Sequence, residues 1–138
     1  MSKSVAIITP TTGSDDLAKC MESVKNQTYE NITHHVVADG YEAYLKIKHN
    51  NQFTIQFHSK LSTSMICENV GANGWYGHRI YAAFPFLVNQ EYVVFLDQDN
   101  WLEPNHIESL ISTIEKGYQW AYSFRKIIST CFRRSRLP

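Results

Sequence analysis

Short apolar runs alternate with amphipathic segments along the first half of the chain, and this alternation limits the possible folds most strongly. Ser4–Thr9 is apolar and rich in β-branched residues, and Pro10 and Gly13 end it. The following segment has apolar residues at helical spacing: Leu17, Cys20, Met21 and Val24. His34–Ala38 is a second apolar run, and Tyr41–Lys48 follows as a short helix. A β-α-β-α order predicts a parallel sheet with flanking helices.

The rest of the chain continues this α/β pattern, with one interruption. Residues 61–77 are rich in small, polar and glycine residues, and we interpret them as a ligand-binding loop. The other predicted elements are, in chain order, a strand with Phe53, Ile55 and Phe57; a helix over His78–Val88 that Pro85 kinks or ends; a central strand, Tyr92–Leu96; a helix from Pro104 to Ile114, stopped by Gly117; and a strand, Trp120–Phe124.

The length, net charge and composition of the chain limit the classes of protein to which it can belong. A length of 138 residues allows one domain, which we place at 1–125, followed by a basic tail, 126–138, that we expect to be solvated or disordered. A formal net charge of zero argues against a nucleic-acid partner. No apolar run reaches the roughly 20 residues of a membrane helix, so we expect a cytoplasmic protein without a transmembrane segment. The three cysteines are too widely spaced for a zinc clip.

Acidic residues follow two of the predicted strands. Asp39 comes after the second strand, and Asp97 and Asp99 come after Tyr92–Leu96. Ligands of open α/β sheets bind at the carboxyl ends of the strands, where these carboxylates would meet and repel one another unless a cation compensates them. Hard oxygen ligands favour Mg²⁺ or Mn²⁺. The alternative is that Asp97 and Asp99 are ordinary turn residues, since aspartate is common after strands.

The wider pattern resembles family 2 glycosyltransferases. The matching segments are Val5–Thr11, Gln27-Thr28-Tyr29, Val36–Gly40, Glu91–Asn100 and Pro104, in that order and with similar spacing. The resemblance covers most of the chain up to about Phe124. It implies a GT-A fold, which is a Rossmann-like, mostly parallel sheet flanked by helices.

The resemblance also implies roles for single residues. Thr9, Pro10 and Thr11 would line the nucleoside of a nucleoside-diphosphate sugar, preferably a UDP-sugar, and Asp39 would hydrogen-bond its base. Asp97 would lie near the ribose or the metal, Asp99 would bind the Mn²⁺ or Mg²⁺ that bridges the phosphates, and Arg79 would meet the diphosphate. The implied reaction is transfer of the sugar to a hydroxyl acceptor with inversion. Trp75 and Tyr76 are candidate walls of the sugar pocket, and His78 is a minor candidate beside Arg79.

Two departures from the family pattern leave alternatives open. Asn100 replaces a frequent aspartate, which leaves fewer charges for the metal, and the family's second half, with the acceptor site and the catalytic base, is missing from the chain. The alternative function is therefore a catalytically incomplete module that binds a nucleotide sugar. A nucleotidyltransferase is less favoured because the loop after the first strand has no basic residue before Lys19. A truncated fold would expose apolar surface at the sheet edge, which predicts a homo-oligomer.

Overall fold

A sheet of four parallel strands forms the centre of the molecule in the computed structural model, which describes residues 2–50, 60–124 and 126–127. The strands are β1 (Val5–Thr11), β2 (Ile32–Asp39), β3 (Leu61–Ile66) and β4 (Tyr92–Phe95), in the spatial order β3-β2-β1-β4. In this register Ile7 of β1 lies beside His34 of β2 and Val94 of β4. The predicted parallel α/β architecture is confirmed.

Helices cover both faces of the sheet. They are α1 (Leu17–Lys25), α2 (Tyr41–His49), α3 (His78–Ala83), a 3₁₀ helix (Phe84–Leu87) and α4 (His106–Ile114). Helices α1, α2 and α4 pack on one face, and α3 and the 3₁₀ helix pack on the other. The predicted break at Pro85 is confirmed, because α3 ends at Ala83 and Pro85 lies in the 3₁₀ helix. Gly117 follows α4 with a φ of 102°, as expected of a glycine that ends a helix.

The core follows from the two-residue period of the strands. Val5 and Ile7 pack against α1 and α4, whereas Ile8, on the opposite face of β1, packs against Ile80 of α3. All seven residues of β1 are buried, as expected of a strand with neighbours on both sides and helices on both faces. This packing fixes the ends of the strand, and the loop that follows is anchored there.

Three sequence predictions for the strands are wrong. Residues 61–66 form β3 instead of a loop; this strand is only partly buried, which explains its high content of serine and threonine. Strand β4 lies at the edge of the described sheet instead of its centre, and Phe95 is exposed. Trp120–Phe124 is not a strand; the ring of Tyr122 stacks on that of Trp120, with 5.7 Å between the centroids, and meets that of Phe124 edge to face at 5.9 Å.

Two further predictions fall outside the described residues, namely the strand at Phe53, Ile55 and Phe57 and most of the basic tail, 128–138. Within the described part of the chain, no helix has the length and apolar character needed to cross a membrane.

Candidate functional site

An open cavity of about 450 Å³ lies where β1, β2 and β4 end. Its floor comes from residues at or just after the ends of these strands, namely Pro10–Thr12, Asp39 and Asp97–Asp99. Its outer wall comes from the segment before α3 and from the first turn of that helix, with Asn69, Gly71, Tyr76, Gly77, His78 and Tyr81 among the lining residues. The structure thus brings together five of the predicted site residues: Pro10, Thr11, Asp39, Asp97 and Asp99.

Asp39 connects the outer wall to the end of β2 through hydrogen bonds. Its side chain is buried, and its two carboxylate oxygens accept hydrogen bonds from the backbone N–H groups of Val70 (2.7 Å) and Gly71 (2.9 Å). Only glycine fits at position 71, since a Cβ there would collide with Asp39 Oδ2 and the carbonyl of Tyr76. Each carboxylate oxygen can accept a second hydrogen bond, so Asp39 still has acceptor capacity toward the cavity.

Asp97 is oriented by two side chains. The hydroxyl of Tyr81 donates to Asp97 Oδ1 at 2.7 Å, and the amide of Asn100 donates to Oδ2 at 3.3 Å. Burial raises the pKa of the Tyr81 hydroxyl, and its hydrogen bond to Asp97 raises it further. Tyr81 therefore remains protonated and acts as a permanent donor at neutral pH.

Asp99 is exposed at the rim of the same cavity. It lies in a turn in which the backbone N–H of Asn100 donates a hydrogen bond to the carbonyl of Asp97 at 3.0 Å. Among the described residues, no group of three or more histidine, cysteine, aspartate or glutamate side chains is arranged to hold a metal ion. Two carboxylates alone do not complete the ligand shell of a divalent cation. They suit a cation that takes its other oxygens from water or from a bound phosphate.

Gln98 lies between Asp97 and Asp99, and the sequence predicted no role for it. Its Oε1 accepts from Thr11 Oγ1 (2.6 Å) and from the N–H of Thr12 (3.1 Å), and its Nε2 donates to Thr12 Oγ1 (3.3 Å). These contacts join residues that are far apart in sequence, so no local pattern could reveal them. Tyr81 was missed for the same reason.

Two predicted residues lie elsewhere. The Thr9 side chain is fully buried beneath the cavity, where its Oγ1 is 2.9 Å from His34 Nε2. Arg79 is exposed outside the lining set; its Nη1 donates to the carbonyl of Val70 at 3.2 Å, and its guanidinium carbon lies 4.3 Å from the centre of the Trp75 ring. Cys20, near Thr9, is no nucleophile, because burial raises the pKa of its thiol to about 12.

Of the aromatic pair expected at the sugar pocket, Tyr76 lines the cavity and Trp75 stacks on Arg79 instead. His78 also lines the cavity, with its Nδ1 2.7 Å from the carbonyl of Trp75. A second cavity, of about 590 Å³, lies on the other side of the Asp97–Asp99 turn and is lined in part by Trp101, Glu103 and His106. Asp97 and Asp99 border both cavities.

Sequence comparison finds two curated relatives that are glycosyltransferases by name. The chain is 29% identical to the glycosyltransferase GlyA of Streptococcus pneumoniae over 106 residues, which is 71% of this chain and 13% of GlyA. It is also 31% identical over 102 residues to EpsH of Bacillus subtilis, which is named as a proposed glycosyltransferase. This match covers 68% of this chain and 25% of EpsH. The chain therefore spans a quarter or less of the length of these relatives. No protein-family model matches it.

Comparison of folds gives crystal structures of S. aureus TarS. Residues 1–349 of TarS in complex with UDP superpose with a TM-score of 0.62 and 19% identity, covering 82% of this chain and 32% of that one. The complex with UDP-GlcNAc gives a TM-score of 0.59 and 20% identity, covering 82% of this chain and 31% of that one. At this identity the likeness establishes the fold. The resemblance seen in the sequence is thus confirmed, and the chain is a GT-A-like domain related in sequence to glycosyltransferases and corresponding to their N-terminal part.

Proposed function

We propose that this chain binds a nucleoside-diphosphate sugar, preferably a UDP-sugar, together with Mn²⁺ or Mg²⁺, as the donor site of a glycosyltransferase. One observation carries the proposal: Asp39, the residues Pro10–Thr12 at the end of β1, and the Asp97–Asp99 turn line the same cavity at the carboxyl ends of neighbouring parallel strands. The relatives with glycosyltransferase names and the fold shared with a UDP-binding structure support it.

The nucleoside would lie over the ends of β1 and β2. Pro10 gives this part of the cavity an apolar surface, the exposed Thr12 gives it a hydroxyl group, and Asp39 offers carboxylate oxygens to an N–H group of the base. The Thr11 side chain is buried, and its hydroxyl already donates to Gln98. Thr9 would support the floor through its buried contact with His34 instead of touching the nucleotide.

The diphosphate end would lie at the Asp97–Asp99 turn. Asp99 is exposed there, and Asp97 is held in one orientation by Tyr81, so both can supply carboxylate oxygens to a hard cation. Such a cation, when bound, neutralises the charge that develops on the leaving diphosphate. Arg79 would contribute there only after its guanidinium leaves the carbonyl of Val70.

The proposed chemistry is transfer of the sugar to a hydroxyl group by in-line displacement, with inversion at the anomeric carbon as the family resemblance implies. The residues of this chain would bind the donor and fix its orientation, which removes much of the entropic cost of the reaction. The second cavity adjoins the same two aspartates, so an acceptor placed there would approach the donor from across the turn.

Isothermal titration calorimetry with UDP, in Mn²⁺ and in EDTA, tests the donor site. We expect UDP to bind in Mn²⁺ and to bind at least tenfold more weakly in EDTA, with CDP and ADP as comparison ligands for base preference. Equal and negligible heats for all three diphosphates in Mn²⁺ would refute nucleotide binding.

The second candidate is a module that binds the nucleotide sugar but does not transfer it. Each aspartate that lines the donor cavity already has a proposed binding role, so none of them is left to act as a catalytic base, and this favours the second candidate. Incubation with radiolabelled UDP-sugars distinguishes the two. Release of UDP with transfer to an acceptor or to water supports the enzyme, whereas binding without turnover supports the module.

A further inference from the structure

Gln98 makes a set of contacts that the proposed function does not use. Its Oε1 accepts hydrogen bonds from Thr11 Oγ1 at 2.6 Å and from the backbone N–H groups of Thr12 at 3.1 Å and Ser14 at 3.5 Å. Its Nε2 donates to Thr12 Oγ1 at 3.3 Å. One side chain thus binds several groups of a single loop, which we call the β1 loop (Thr11–Ser14).

These contacts lie just beyond the point where the hydrogen bonding between β1 and β4 ends. The ladder between β1 and β4 ends at Ile8 and Phe95, with one further hydrogen bond from Leu96 N to the carbonyl of Ile8 at 3.0 Å. Past that point β1 continues beside β2 as far as Thr11, whereas the segment after Leu96 leaves the sheet, and Gln98 links the two segments again through its side chain. The β1 loop lines the proposed nucleoside end of the cavity, and Asp97 and Asp99, on either side of Gln98, line the diphosphate end.

The chemistry of the side chain suits this task. An amide provides an acceptor for the three donors of the β1 loop and a donor for the Thr12 hydroxyl, without adding a third negative charge between Asp97 and Asp99. Asparagine has the same amide, but it is shorter by one methylene and would not reach the loop from the same backbone position.

We propose that Gln98 is a positioning residue that holds the β1 loop against the Asp97–Asp99 turn and thereby fixes the nucleoside end of the donor site relative to its diphosphate end. This inference rests on the proposed donor site. A ligand that touches both ends benefits from their fixed separation, as in any bivalent interaction, whereas a ligand that touches one end does not. UDP is of the first kind, and uridine and pyrophosphate are of the second.

The test compares these three ligands in saturating Mn²⁺ by calorimetry, with NMR titration for weak binding. Gln98→Met keeps the length of the side chain and removes its hydrogen bonds, so we expect UDP affinity to fall about tenfold while the affinities for uridine and pyrophosphate change by less than about twofold. Gln98→Asn keeps the amide but does not reach the β1 loop, so it should behave like Gln98→Met. Gln119→Met is the matched control, because Gln119 is exposed and lines neither cavity.

Other results would overturn the inference. Unchanged UDP affinity in Gln98→Met and Gln98→Asn would show that the link is irrelevant to binding, and an equal loss for all three ligands would show a general structural defect. If Gln98→Met does not fold, Gln98→Asn keeps the test decisive, because it must then lose UDP affinity while its affinities for uridine and pyrophosphate stay within about twofold of the wild type. A wild-type chain that does not bind UDP would refute the donor site itself, and this inference with it.

Discussion

The hydroxyl of Tyr81 donates a 2.7 Å hydrogen bond to Oδ1 of Asp97, which joins helix α3 to the acidic turn after β4. The ring of Tyr81 packs against Phe95, with 4.8 Å between the ring centroids, so the hydroxyl is held in place. This pair links the wall of the cavity to its floor.

Tyr81→Phe keeps the ring and removes the donor. We expect UDP affinity in Mn²⁺ to fall roughly three- to tenfold, because Asp97 loses a hydrogen bond worth about 1 kcal/mol that fixes its orientation. The ring contact with Phe95 is kept, so the free energy of unfolding should fall by no more than about 1 kcal/mol. Calorimetry with UDP measures the effect, and Tyr41→Phe on the exposed face of α2 serves as the control. Wild-type affinity in Tyr81→Phe would show that the orientation of Asp97 does not matter for the nucleotide.

Gly71→Ala tests the attachment of the outer wall. The added Cβ would collide with Asp39 Oδ2 and with the carbonyl of Tyr76, so the hydrogen bonds from Val70 and Gly71 to Asp39 must break or shift. We expect a loss of about 1–3 kcal/mol in the free energy of unfolding and at least a tenfold loss of UDP affinity. Urea unfolding and calorimetry measure the two effects.

Gly74→Ala is the comparison for Gly71→Ala. No atom lies within 4 Å of a Cβ at Gly74, so that variant adds only the backbone strain of its φ of 83°. If Gly71→Ala and Gly74→Ala weaken UDP binding equally, the contact between Asp39 and the wall has no special role in the site.

The main features of the fold could be predicted because they depend on local patterns. The buried run of β1 and the apolar spacing of α1 each determine an element directly. Strand β3 was missed because an edge strand with half-buried serine and threonine side chains has the composition of a loop. The position of β4 was missed because its continuous apolar run suggested a strand buried on both faces, whereas its residues are half-buried or exposed at the edge of the described sheet.

The pH dependence of stability should include a contribution from His35. This side chain packs 5.7 Å from the ring of Phe84, and burial lowers its pKa below 6.5, an effect that Gln90 partly offsets. The unfolded chain therefore takes up a proton at a higher pH than the folded protein does. The contribution of His35 is fully present above pH 6.5 and is lost as the pH falls through the lower pKa of the folded state.

His35→Gln removes this titration, so the difference between its unfolding midpoint and that of the wild type should stay constant between pH 9 and 7 and change in favour of the variant below pH 6.5. Differential scanning fluorimetry over that range measures the midpoints. A difference that is independent of pH from 9 to 5 would contradict the assignment.

The site was predictable where residues lie at or just after strand ends. Asp39 is the last residue of β2, and Asp97 and Asp99 follow β4 closely, so the parallel sheet alone places them at one edge. Thr9 was expected at the nucleoside, but the period of β1 turns its side chain toward α1 and His34. Arg79 was expected at the diphosphate, and its direction depends on Trp75 and Val70, whose positions no sequence pattern specifies.

The binding of Mn²⁺ in the presence and absence of UDP, measured from the EPR signal of free Mn²⁺, tests the central claim most directly. Because Asp97 and Asp99 alone do not complete a ligand shell, we predict weak binding of Mn²⁺ to the wild type alone and at least tenfold tighter binding with UDP. Asp99→Ala should abolish this gain, whereas Asp15→Ala, at an exposed aspartate outside the cavity, should keep it. Mn²⁺ binding that UDP does not strengthen, or that Asp99→Ala leaves intact, would contradict a shared metal and donor site.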